Sequence, residues 1–137
     1  MSNKRVSAII IDKGKILLIH RLKGDDEYYV LPGGSVEEKE TNSEALIREI
    51  KEETGLDIVI DKELYKVNNN YDARTQHILL AKSVNGRLTL GEPELSRQSK
   101  DNKYILEWHD IAELKNLKIF PEEIKEKYKN CKNIFLY

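Results

Sequence analysis

GGSVEEKETNSEALIREIKEETGL, residues 33–56, places a dense run of carboxylates between two pairs of turn signals. Acidic surface is ordinary, but acids held at fixed spacing on a rigid element can hold a metal. Thr41-Asn42-Ser43-Glu44 has capping-box spacing, and Gly55 stands where a left-handed residue would stop a helix. About 12 helical residues lie between these signals. At 100° per residue, Leu46, Ile47 and Ile50 fall on an arc that can pack on a sheet, while Glu49, Glu52 and Glu53 share a neighbouring arc. Acids three and four residues apart repel, at roughly a few tenths of a kcal/mol per pair. A divalent cation offsets that cost. Oxygen-only ligands on one face suit Mg²⁺ or Mn²⁺, with waters filling the remaining positions.

Outward from this helix, the flanking segments read mainly as strands. Residues 5–11 and 16–22 are β-branched runs separated by Asp12-Lys13-Gly14-Lys15, where Gly14 offers a positive φ, so a hairpin is expected. Residues 28–31 form a short strand stopped by Pro32. Beyond the acids, LDIVIDKELYKVN and QHILLAKSV are strand-like, and Asn85-Gly86 suggests a further hairpin turn. YILEWHDI reads as a strand running into a short helix near Ala112, and FPEEIKEKYKN as a late helix with Pro121 in its first turn. Mixed strands with one helix in the middle and another near the end predict an α+β or α/β sandwich.

A chain of 137 residues, 34% of them charged, suits one domain spanning 1–137 with a modest core. Its net charge of −1 creates no overall field to recruit nucleic acid or an anionic membrane, so an anionic ligand has to be met locally. Stable nucleic-acid binding is not expected. Cys131 is the only cysteine, which excludes an internal disulfide and fits a reducing compartment. The apolar run near the N-terminus is too short for a signal sequence or a membrane span, so the expectation is a soluble cytoplasmic protein.

Gly34, five residues, Glu40, seven residues, then Arg48-Glu49-Ile50-x-Glu52-Glu53-x-Gly55-Leu56 reproduces the Nudix box at all nine positions, and the chain resembles a MutT-like Nudix hydrolase. Leu31-Pro32-Gly33 leading in and Glu107-Trp108 near the end are similar to the family's surroundings of the box. The resemblance implies an α/β fold, a Nudix-type α/β/α sandwich with a mixed β-sheet and a loop-helix-loop metal site. It also implies hydrolysis of a nucleoside diphosphate linked to a group X. Carried over by position, Glu49, Glu52 and Glu53 match the acids that hold Mg²⁺, and the Gly33 carbonyl resembles a further ligand. Arg48 and Glu40 look like supporting residues: Arg48 forking onto a carboxylate, Glu40 near helix amides, and Gly34 allowing a tight fold against the helix.

Water attacking a pyrophosphate needs charge neutralisation, orientation and a base. In the family the base lies within the box helix or on a later loop. Glu52 and Glu53 are the candidates inside, and Glu94 is the best placed outside, with Glu92 and Glu107 behind it. Arg21, at the end of a strand, is the candidate for substrate phosphate. Tyr28 and Tyr29 point to opposite sides of a strand, with Tyr29 assigned to a base or sugar pocket. Tyr71 lies where some dinucleoside polyphosphate hydrolases of the family carry a tyrosine. His20, His77 and His109 lack ligand spacing and read as structural or surface residues, Trp108 as a packed aromatic, and residues 125–132 as a solvated Lys-rich face.

The reading is therefore a metal-dependent enzyme acting on a small nucleotide, monomeric or homodimeric. Two alternatives are a catalytically silent Nudix-fold module that binds nucleotides or regulates a partner, and a structural protein with a merely acidic helix. The first would be expected to have lost box acids, and none is missing. The second leaves the nine-position match unexplained.

Overall fold

The computed structural model describes residues 3–68, 74–92 and 94–128. In chain order the elements are β1 (Lys4–Ile9), β2 (Ile11–Asp12), β3 (Lys15–Lys23), β4 (Asp26–Val30), β5 (Gly33–Ser35), α1 (Asn42–Thr54), β6 (Leu56–Asn68), β7 (Thr75–Gly86), α2 (Glu94–Arg97), β8 (Asn102–Asp110), a 3₁₀ turn (Ile111–Asn116), β9 (Ile119–Phe120) and α3 (Glu123–Tyr128). One sheet has the order β5-β1-β7-β6, with β1 and β7 parallel and the other neighbours antiparallel. In the other sheet β8 runs antiparallel along one edge of β3, β2 and β4 share the opposite edge, and β9 adds parallel to β4. Side chains alternate between faces along each strand, and this sorts the core into two clusters. Val6, Ala8 and Leu17 pack with Leu46 and Ile50 of α1, while Ile9, Ile16 and Leu18 pack with Leu114 of the 3₁₀ turn and Ile124 of α3. The result is a mixed α/β fold with few helices and two mixed sheets.

Two local expectations give way to long-range pairing. Residues 5–11 do not form a hairpin with 16–22; only Ile11 and Asp12 fold back onto Ile16 and Lys15, around a turn in which Lys13 and Gly14 both have positive φ. Val6, Ala8 and Ile9 are fully buried, as in a central strand covered on both faces, so β1 takes partners on both edges and runs parallel to β7. Asn85 and Gly86 do not turn a hairpin either. Both still pair, with Asp57 and Leu56, and the chain then passes the C-terminal end of α1.

Helix α1 starts and stops at its local signals. Thr41 Oγ1 accepts from the Glu44 amide at 3.1 Å, Glu44 Oε1 accepts from the Thr41 amide at 2.9 Å, and Gly55 caps the far end at φ 77°. Its buried arc is shifted from the expected one. Ala45, Leu46, Ile50, Glu53 and Thr54 are buried, whereas Ile47 is 41% exposed. At 100° per residue Glu53 lies near the middle of that arc and Ile47 beyond its edge, so one acid is inside the packed face.

The three histidines are held by glutamates. His77 Nδ1 lies 2.8 Å from Glu63, and His20 and His109 converge on Glu107, with His20 Nδ1 at 3.0 Å and His109 Nε2 at 2.7 Å. His20 Nε2 also lies 2.6 Å from Glu27, and an imidazole can satisfy carboxylates at both nitrogens only as a double donor, the cation. Burial alone would lower the His20 pKa, but the hydrogen bonds it donates to Glu107 and Glu27 outweigh it and leave it raised from 6.5. Its contribution to stability is then complete below the unfolded value and lost as pH rises through the folded one. We expect His20→Leu to cost roughly 1–3 kcal/mol at about pH 6 and clearly less at about pH 9, read from thermal melts. An equal cost at both would remove charge from the account.

Candidate active site

One guanidinium organises most of the box acids. Arg48 forks onto Glu40 through Nε at 2.8 Å and Nη2 at 2.9 Å, and Nη2 also donates to the Ser35 carbonyl at 3.1 Å. Its Nη1 reaches Glu49 at 3.0 Å and Glu52 at 3.3 Å. Glu40 does not meet helix amides, because Thr41 and Glu44 already cap α1; it accepts the Glu37 amide at 2.8 Å as well as the fork. The Arg48 bond, helped by that amide, holds Glu40 down to about 2.

Glu53 stands apart from this network. It is 5% exposed, and its Oε1 accepts from the Gly33 amide at 2.9 Å. Burial, then the charges of Glu94 and Glu49, push its pKa up to about 8 against the pull of the Gly33 amide and Arg5. Burial also raises Glu49, in spite of Arg48. Gly34 leaves the room Glu49 needs, since a Cβ there would overlap the Glu49 carboxylate.

These groups open into a cavity of about 340 Å³. Glu49, Glu53 and Glu94 line it together with Gly33, Gly34, Arg5 and Arg21. The Arg21 guanidinium lies 3.7 Å from the Tyr104 ring centre and donates through Nη1 to the Lys103 carbonyl at 2.8 Å, which fixes its plane. Glu52, its side chain 53% exposed, stays outside the lining and leans on Arg48.

Other predicted residues lie elsewhere. Tyr29 is not in the cavity: the register pairs it with His20, on whose ring it stacks at 4.4 Å, while Tyr28 pairs with Arg21. Alternation therefore puts Tyr29 on the face away from the acids, so it does not line the acid cavity as Arg21 does. Glu107 shares that far face with His20, and Glu92 does not line the cavity. Tyr71 and Cys131 lie outside the described residues. Arg5 and Tyr104 escaped the sequence reading because a cation at a strand start and a tyrosine within a strand have no diagnostic spacing. Only long-range pairing, of β1 with β5 and β7 in one sheet and of β3 with β8 in the other, brings both to one cavity.

The resemblance of the box implies a divalent cation, which needs several oxygen donors turned toward one point. Among the described residues no three acid or imidazole side chains converge on one ion position as they stand. Glu49 and Glu52 are instead turned onto the same Arg48 nitrogen. The chemistry of the set fits a cation: all donors are oxygen, and Glu53 is buried among like charges with an amide bonded to it rather than a cationic side chain. Arg48 would keep Glu40 and Ser35 if Glu49 and Glu52 turned inward.

A model of the NUDIX domain matches residues 1–131. An ADP-ribose pyrophosphatase from Methanocaldococcus jannaschii is 35% identical over 134 residues, spanning 93% of this chain and 73% of that protein. A CTP pyrophosphohydrolase from Escherichia coli is 33% identical over 75 residues, 53% of this chain and 56% of that protein. The crystal structure of a MutT NUDIX hydrolase from Burkholderia pseudomallei is similar with a TM-score of 0.65 at 28% identity, covering 81% of this chain and 84% of that one. A complete box on a capped helix, the mixed-sheet fold that carries it and these likenesses agree, and the chain belongs to the Nudix hydrolase family.

Proposed function

We propose that this hydrolase is a Mg²⁺- or Mn²⁺-dependent pyrophosphohydrolase of the cytoplasm, which splits a nucleoside diphosphate linked to X by attack of water at phosphorus. The observation that carries the reading is the buried Glu53 carboxyl lining one cavity with Glu49, Glu94 and the cations Arg5 and Arg21. Glu49, Glu52 and Glu53 would hold the ion, with the Gly33 carbonyl as a further ligand. When bound, the ion supplies charge that neutralises the diphosphate and acidifies a water.

The remaining steps belong to the chain. Arg21, its plane set by Tyr104 and one nitrogen occupied by Lys103, presents its other N–H groups to a phosphate oxygen. Glu94 accepts the proton of the attacking water, being the cavity acid that lies off the box helix. A second cavity of about 560 Å³ shares Arg5, Val30 and Leu31 with the first and is lined also by Gln76 and Phe120, so the nucleoside fits beside the diphosphate.

A substrate panel tests this reading. The relatives' names put ADP-ribose and CTP first, followed by other nucleoside triphosphates, oxidised nucleotides, nucleotide sugars and dinucleoside polyphosphates. Turnover of at least one with Mg²⁺, abolished by chelator, is the expected result. Nucleotide binding without turnover across the panel would support a silent module instead.

The Arg48 network gives a sharper prediction. Arg48→Lys keeps a charge but not the fork, so Glu40 and the Ser35 carbonyl lose their shared anchor. A loss of roughly 10- to 100-fold in kcat/KM is expected, with melting temperature little changed. Activity within about twofold of the parent would show the fork to be dispensable.

A further inference from the structure

We infer that Gly91 is a positioning residue for Glu94, its peptide tying the end of the box helix to the first turn of α2 and so aiming Glu94 into the acid cavity. This rests on the reading of Glu94 as the proton acceptor. The last carbonyls of a helix have no partner within it. In α1 they are taken up from outside: Thr89 donates its amide to the Thr54 carbonyl at 2.7 Å, and Gly91 donates its own to the Glu53 carbonyl at 2.9 Å. The Gly91 carbonyl in turn accepts the amide of Leu95 at 2.9 Å, the residue that follows Glu94. One residue thus links the backbone of Glu53 to that of the Glu94 turn.

The approach leaves no space for a side chain. A Cβ at Gly91 would overlap the Glu52 carbonyl oxygen and stand 2.8 Å from its carbon and 3.6 Å from the Glu53 Cα. The first two contacts are with backbone of a helix held by its own hydrogen bonds, so the loop has to give. Moving the loop breaks the Gly91 amide bond, the Leu95 bond, or both, and carries Glu94 away from Glu49 and Glu53. Proton transfer needs hydrogen-bond reach, and a displacement of about 1 Å can cost about 100-fold in rate. The conformational freedom of glycine is not the reason for it here; its missing Cβ is.

A double-mutant cycle tests the proposal. Gly91→Ala, Glu94→Gln and the double variant are assayed for kcat and KM on the substrate found by the panel, with melting temperatures alongside. Gly91→Ala should lower kcat roughly 10- to 100-fold with KM within about twofold, and should cost less than about twofold more when added to Glu94→Gln. A full rate in Gly91→Ala, or an undiminished further loss in the double variant, would overturn the tie while leaving Glu94 as the base. A full rate in Glu94→Gln alone would instead overturn the base assignment, and the proposal with it. Should Gly91→Ala fail to fold, amide hydrogen exchange of the parent protein decides. Protection of the Gly91 amide alongside the end of α1 is expected, and exchange at the rate of an open loop would overturn the tie.

Discussion

Glu53→Gln should reduce kcat by roughly 10³-fold or more while making the metal-free protein more stable at neutral pH. The substitution preserves volume, and an amide oxygen can still accept from Gly33, so packing around α1 is conserved. What disappears is a negative charge that burial and two neighbouring acids already oppose. Glu53 has a folded pKa of about 8 against a reference of 4.5. As pH rises the unfolded chain gives up this proton first, so the metal-free parent loses stability from the reference pKa up to the folded one, by about a few kcal/mol. Gln has no proton to lose, and that part of the decline should vanish in chemical denaturation at stepped pH. A residue that only supported the fold would lose activity and stability together. Undiminished turnover in the variant would remove Glu53 from the ligand set.

Glu94→Gln is expected to lower kcat by roughly 10²- to 10⁴-fold with little change in KM. The charge of Glu94 is one of the causes that raise Glu53, so its loss should also let the Glu53 pKa fall toward the ordinary carboxylate range. The stability decline described for the metal-free protein would then end at lower pH. This second readout does not depend on turnover. A near-normal rate in Glu94→Gln would return the proton to Glu52 or Glu53.

What was legible in the sequence was what local chemistry decides. Thr41, Glu44 and Gly55 set the ends of α1 through bonds within or next to the helix, and the spacing of Glu49, Glu52 and Glu53 follows from its pitch. What stayed hidden depends on partners far along the chain. Whether Tyr28 or Tyr29 faces the acids is a question of one residue, answered by the pairing of β4 with β3. The burial of Glu53 depends on where β5 lies against α1, and the hairpin expected of residues 5–11 lost to a parallel partner some 70 residues away, as Val6 pairs with His77. Gly91 has no diagnostic spacing in the sequence, and its place depends on the Glu52 carbonyl that lies against it.

Mn²⁺ binding to the nucleotide-free protein tests most directly whether the α1 acids hold a divalent ion. Electron paramagnetic resonance of free Mn²⁺ should show saturable uptake by the parent chain, weakened about tenfold or more in Glu53→Gln. Uptake equally strong in that variant, or none in the parent, would contradict the account.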